Sequence, residues 1–164
     1  MSTSNLESLR PLALERCFEF LAPVVPLEQF HGILPIEAGG VLCDREGGVE
    51  LLHFAPRRWL IPGPSAALYQ SLANLALAGD GVLVDVEGKW QSFRMEGDCA
   101  IRILESSVNV DATLCRRSCA AVALFDCPAV LARDGNGFTC WVISSYAESL
   151  LSVIGRLTFS PKVT

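Results

Sequence analysis

Residues 127–154 read "CPAVLARDGNGFTCWVISSYAESLLSVI", and this stretch constrains the fold more than any other. Two runs rich in β-branched, aromatic and small apolar residues, Ala129–Ala132 and Phe138–Ile143, flank "RDGNG". Asp-Gly and Asn-Gly steps supply the positive φ angles of a tight hairpin. Ser145 and Glu148 then stand at the capping-box spacing S-x-x-E. Ala147, Leu150, Leu151 and Ile154 follow at i, i+3, i+4 and i+7, one face of a helix. A hairpin that feeds an amphipathic helix must bury the apolar stripe against a sheet. The spacing therefore predicts an α+β fold, a mostly antiparallel sheet with helices packed on one face.

The preceding segments fit that architecture. Ala120–Phe125 is a further strand. Val49–Phe54 and Trp59–Ile61 are short strands joined by "APRR", and "PGPS" at 62–65 ends the second. Ser65 is placed to cap a helix whose Leu68, Leu72 and Leu75 share a face, and Gly79–Asp80–Gly81 stops it. Val82–Val86 is so apolar that cover on both faces is expected. Glu87–Gly88–Lys89 reads as a hairpin turn into Trp90–Met95, Gly97 as a sharp bend, and Asp98 as the cap of a helix burying Ala100, Ile103 and Leu104. Residues 1–30 read as an N-terminal arm or helix. The 164 residues suit a single domain, with its core at about 31–157.

Composition decides what kind of surface this is. Apolar residues are 51% of the chain and charged ones 19%, against about 25% charged in an average soluble domain. No apolar run approaches the ~18–20 residues that span a bilayer. The excess points instead to a face buried on a permanent partner, because obligate interfaces resemble a core cut in half; a core-rich monomer is the alternative. The net charge of −5 argues against sequence-independent nucleic-acid or anionic-membrane binding, which needs a basic face. Arg57–Arg58 and Arg116–Arg117 read as solvated edges. The seven cysteines, an odd number behind no basic-then-apolar leader, suggest reduced thiols and a cytoplasmic protein.

No catalytic set stands out. Cys115 and Cys119 form a C-x-x-x-C, but a zinc site needs a second ligand pair downstream, and His31 and His53 lie upstream and apart. The same two histidines are the candidate bases for a cysteine nucleophile; packed thiols and core histidines are the simpler reading. Asp85, among valines, is a structural acceptor for backbone N–H groups or a general base. "EAGG" and "REGG" lack the spacing of a nucleotide loop.

Four blocks carry a resemblance: "APRRWLI" (Ala55–Ile61), "VDVEGKWQSFRMEG" (Val84–Gly97), "AIRILESSVNVD" (Ala100–Asp111) and Cys127–Ile154. Over roughly residues 54–157 the chain resembles the gamma subunit of heterotetrameric sarcosine oxidase. The implied fold is the folate-binding domain shared with the glycine-cleavage T-protein. That family shows a D-x-S turn, a strand, a glycine and an Ala-x-x-x-L helix. Asp85, Gly97, Ala100 and Leu104 match, Arg102 is retained, and Glu87 replaces the serine. The resemblance implies a non-catalytic accessory subunit that binds no cofactor and packs on the folate-binding alpha chain, beside beta- and delta-type subunits. FAD, FMN, NAD and tetrahydrofolate would be held by the complex, which oxidises sarcosine or another N-methyl amine. Trp59, Trp90 and Phe93 are the candidate interface anchors, since aromatics anchor interfaces, with ordinary core packing the equal alternative for each. Expressed alone, such a chain is expected to self-associate. Two alternatives from other classes are a free-standing folate-binding module with Asp85 as polar anchor for the pterin, and a metal or redox protein built on Cys115 and Cys119.

Overall fold

The computed structural model describes residues 9–12, 16–23, 32–35, 37, 39–43, 49–114, 118–134 and 137–159. His31, Cys115 and the Arg116–Arg117 pair lie outside them. In chain order the elements are β1 (Leu9–Leu12), β2 (Cys17–Leu21), β3 (Val41–Cys43), β4 (Val49–Ala55), β5 (Arg58–Pro62), α1 (Ala66–Leu77) and β6 (Val82–Asp85). They continue with β7 (Trp90–Glu96), α2 (Gly97–Glu105), α3 (Val110–Leu114), β8 (Cys119–Leu124), β9 (Cys127–Asp134), β10 (Gly137–Ile143) and α4 (Ser144–Phe159). The class is α+β as expected, but the strands among the described residues form two five-stranded sheets rather than one. The chain divides into two compact units, residues 14–88 with 116–120, and residues 1–13, 89–115 and 121–164.

In the unit of residues 14–88 the strand order is β3-β4-β5-β2-β6. α1 begins where the sequence placed it: the Ser65 hydroxyl accepts from the Leu68 N–H at 3.3 Å. Leu68 and Leu72 then enter a core with Phe18, Phe20, Leu34, Leu51, Trp59 and Ile61. Losing that cap costs about 1 kcal/mol in general, so Ser65→Ala should lower the urea midpoint of the chain by a corresponding small step. The residues read as an arm or helix are strands in two places, β1 and β2. In β2 the successive residues Cys17, Phe18, Glu19 and Phe20 are all buried, as suits an inner strand covered on both faces; a run of only five residues shows too little periodicity to tell strand from helix.

β6 corrects two further expectations. It pairs with β2, through Phe18↔Asp85 and Leu21↔Val82, whereas β7 pairs with β1 and β10. The Glu87–Lys89 turn therefore passes the chain between sheets and makes no hairpin. β6 is also an edge strand with Val82 59% and Val84 38% exposed, so it is not covered on both faces. Only Leu83 packs against the core. Gly81, just before it, is fixed by close approach: a Cβ there would sit 2.2 Å from the Phe20 ring, which is fully buried. Gly81→Ala should destabilise by about 1–3 kcal/mol, the usual range for overpacking, measured as a lowered urea midpoint.

In the other unit the order is β1-β7-β10-β9-β8. β9 and β10 form the expected hairpin, with Asp134 opposite Gly137. β8 and β9 are joined at Phe125 and Asp126, with φ of 49° and 63°, the backbone of a type I′ turn. α2 and α4 both pack on this sheet, α2 on β7 and β10, α4 on β7, β9 and β10. Ala147, Leu150 and Ile154 of α4 are buried, as are Ala100, Ile103 and Leu104 of α2. α4 begins at Ser144, so Ser145 lies in its first turn. α2 begins at Gly97, with Glu96 at the cap position. Asp98 is thus in the first turn, where a carboxylate still favours the positive helix end. Gly97 makes the bend at φ +78°.

Candidate functional site

The residues that carry candidate chemistry are mostly occupied in holding the fold. Asp85 is exposed, and its Oδ1 accepts the Glu87 N–H at 3.0 Å. This is the structural alternative for Asp85, an Asx-type turn that ends β6. His53 lies in β4, stacked on Trp59 with ring centroids 4.5 Å apart and planes 20° apart. Cys119 sits beside it, its thiol 3.6 Å from the Gly40 carbonyl oxygen and 3.7 Å from that of His53. The thiol thus faces one backbone carbonyl of the His53 strand and one of Gly40, just before β3. Among the described residues no group of three or more His, Cys, Asp or Glu is placed to hold a metal.

The paired arginines are no free edge either. Arg58 reaches the buried Glu19 carboxylate at 2.9 Å, which supplies the partner a buried charge requires. The Arg57 guanidinium donates to the Pro23 carbonyl, clamping the end of β2 to the β4–β5 turn. In the other sheet, Cys140 is buried, and burial together with the nearby Cys127 pushes its thiol up from 9.0 to about 12. A thiol held that firmly protonated is a poor nucleophile.

The three aromatic interface candidates lie inside. Trp59 is fully buried, with its indole N–H donating to the Pro35 carbonyl at 3.0 Å. Trp90 and Phe93 of β7 are buried as well, and the Lys89 ammonium stands 5.5 Å from the Trp90 ring centroid. Large aromatics reach the core first because they bury the most area. Among the described residues the exposed apolar surface is carried by other side chains: Leu42, Leu77, Val82 and Val84 in the first unit, and Leu12, Ile101, Tyr146 and Leu157 in the second. Leu77, at 86% exposure, closes α1. The signal in the sequence was the glycine break at 79–81, which shows where the helix stops but not that β6 is an edge.

No family model matches the sequence, and no curated protein matches it. The fold, by contrast, has a counterpart. A chain of the heterotetrameric sarcosine oxidase from Corynebacterium sp. U-96, solved in complex with pyrrole 2-carboxylate, superposes with a TM-score of 0.72. The fold is that of a sarcosine oxidase chain. The match covers 95% of this chain and 87% of that one at 19% identity. It therefore embraces both sheets, including the residues before 54 where the sequence blocks had shown no likeness. No helix among the described residues is long and apolar enough to cross a membrane.

Proposed function

We propose that this chain is a non-catalytic accessory subunit of a multi-subunit flavin-dependent oxidase of sarcosine or a related N-methyl amine, the counterpart of the gamma subunit. The observation that carries this reading is the superposition on a chain of a heterotetrameric oxidase along nearly the full length of both partners. Coverage of that extent on both sides means that the two chains are of similar size. The counterpart is then a small chain of the assembly rather than one domain of a large one. The geometry of the candidate residues agrees: Asp85, Cys119 and Arg58 are engaged in the fold, and apolar side chains stand exposed on both units. On this reading the chain packs on a folate-binding alpha chain, and its own T-protein-like architecture is kept for docking. FAD, FMN, NAD and tetrahydrofolate belong to the larger subunits.

The reading is tested by the activity of the assembled enzyme. A complex isolated through a tag on this chain should bleach its flavin absorbance on anaerobic addition of sarcosine or another N-methyl amine. The isolated chain should show no flavin spectrum and no turnover. A complex without flavin, or amine oxidation by the isolated chain, would overturn it. Titration of the isolated chain with tetrahydrofolate separates the free-standing folate module from the subunit: no heat is expected at high micromolar ligand, and saturable binding would favour the module.

A further inference from the structure

We propose that the outer edge of β6, with the apolar cleft at its start, is a docking site for an extended, lysine- or arginine-bearing segment of a larger partner chain, which adds there as a sixth strand. This rests on the subunit reading and names the surface through which it would be realised. The backbone geometry comes first. The Val86 N–H donates to the Cys17 carbonyl at 2.9 Å, in register with the β2–β6 pairs Glu19↔Val84 and Leu21↔Val82. In an antiparallel ladder the hydrogen-bonded pairs alternate, so Val82 and Val84 turn their backbone groups toward β2. Leu83 and Asp85 turn theirs outward, along the end of the sheet.

Natural edges are blunted by short length, charged side chains, proline, a bulge or a covering loop. This one is short and ends in the exposed Asp85, but it carries no lysine, proline or bulge and presents the apolar side chains Val82 and Val84, both exposed. Beside Val82 lies a cleft of about 300 Å³ lined by Leu21, Ala22, Pro23, Gly79 and Gly81. Its glycines leave the backbone open to close approach, and a single apolar anchor side chain fits its lining. Edge addition with side-chain pockets at alternate positions is an established mode of peptide recognition.

Charge selects the occupant. From Leu77 to Gly88 the sequence carries Asp80, Asp85 and Glu87 and no basic residue. Of the basic residues described on neighbouring segments, Arg57 donates to the Pro23 carbonyl, Arg58 pairs with Glu19, and Lys89, just past this stretch, stands over the Trp90 ring. A second copy paired through its own β6 would bring three further carboxylates to the same edge, and charge of one sign on both partners disfavours the encounter. A strand with basic residues flanking an apolar stretch meets both features, and opposite potentials steer such encounters.

The test uses the full chain and two synthetic peptides of alternating valine and threonine, one flanked by lysines and one by glutamates. Backbone amide exchange is read residue by residue. The lysine-flanked peptide should slow exchange at Leu83 and Asp85 by about tenfold or more, while core amides such as that of Leu60 stay unchanged. The glutamate-flanked peptide should not. Val84→Lys, and independently Val82→Lys, should abolish the protection while leaving the thermal midpoint of the chain in place. No protection at ~1 mM lysine peptide, a concentration that populates even a site of millimolar affinity, would overturn the site. Equal protection by both peptides would overturn the basic partner. Concentration-dependent protection of Leu83 without peptide would show a second copy there instead. The two readings fail separately: peptide binding without any flavin-bearing companion leaves the site and removes the subunit, whereas a flavin complex indifferent to Val84→Lys does the reverse.

Discussion

Trp59→Ala is expected to destabilise the chain by about 3–5 kcal/mol, the usual cost of deleting a fully buried large aromatic. Three interactions end together. The ring leaves the cluster of Phe18, Phe20, Leu51, Ile61, Leu68 and Leu72. The His53 ring loses its stacking partner. The Pro35 carbonyl loses the indole N–H at 3.0 Å. Native domains have only about 5–15 kcal/mol to spare, so the variant should show a much lower urea midpoint by circular dichroism. Trp59→Phe keeps the ring volume in part and should fall between. A Trp59→Ala chain of unchanged stability would mean that the tryptophan is not in this core.

The second large effect is alkaline. Cys140 is held protonated by burial and by the neighbouring Cys127, its pKa raised from 9.0 to about 12. The folded chain keeps a proton that the unfolded chain releases above about pH 9. Stability from this group is thus fully present below pH 9 and is lost as pH climbs toward 12. The slope is at most about 1.4 kcal/mol per pH unit for one proton. Urea midpoints from pH 8 to 11 should fall in the native sequence and fall less steeply in Cys140→Ala. Parallel curves would show that Cys140 is not buried as a neutral thiol. Cys140 should likewise resist alkylation at pH 8 until the chain is unfolded, since the thiolate is the reactive species.

Helices α1, α2 and α4 and the C-terminal hairpin were legible in the sequence because each carries its own local signal, whereas the five-residue α3 is too short to show one. Ser65 with Leu68 and Leu72 marks α1, "RDGNG" the β9–β10 hairpin, and Ala147, Leu150 and Ile154 the buried stripe of α4. What could not be read is long-range pairing. Nothing in "VLVDVEGKWQSF" reveals that its two strands enter different sheets, because a two-stranded hairpin and a crossing between sheets ask the same of the turn at Gly88. The valines of β6 misled for the same reason: apolar composition shows that a strand wants cover, and here two of its side chains stand exposed. β2 was missed because its short buried run has no period of its own. At the site, Asp85 takes up the backbone-acceptor role among its alternatives, its Oδ1 meeting the Glu87 N–H in an Asx turn. The aromatics Trp59, Trp90 and Phe93 suited an interface or a core equally by residue type, and the structure buries them. The fold-level resemblance was visible because it lies in ordered blocks after residue 54, and it extends to the whole chain only in three dimensions.

The central claim is that this chain is a permanent part of a larger flavin assembly. Native mass spectrometry of the complex purified through a tag on this 17.7 kDa chain, from cells that express it at its natural level, tests that most directly. The subunit reading requires one copy of the chain per copy of each larger subunit, with flavin released in fixed ratio on denaturation. A chain recovered as a free monomer, without any flavin-bearing companion, would contradict it.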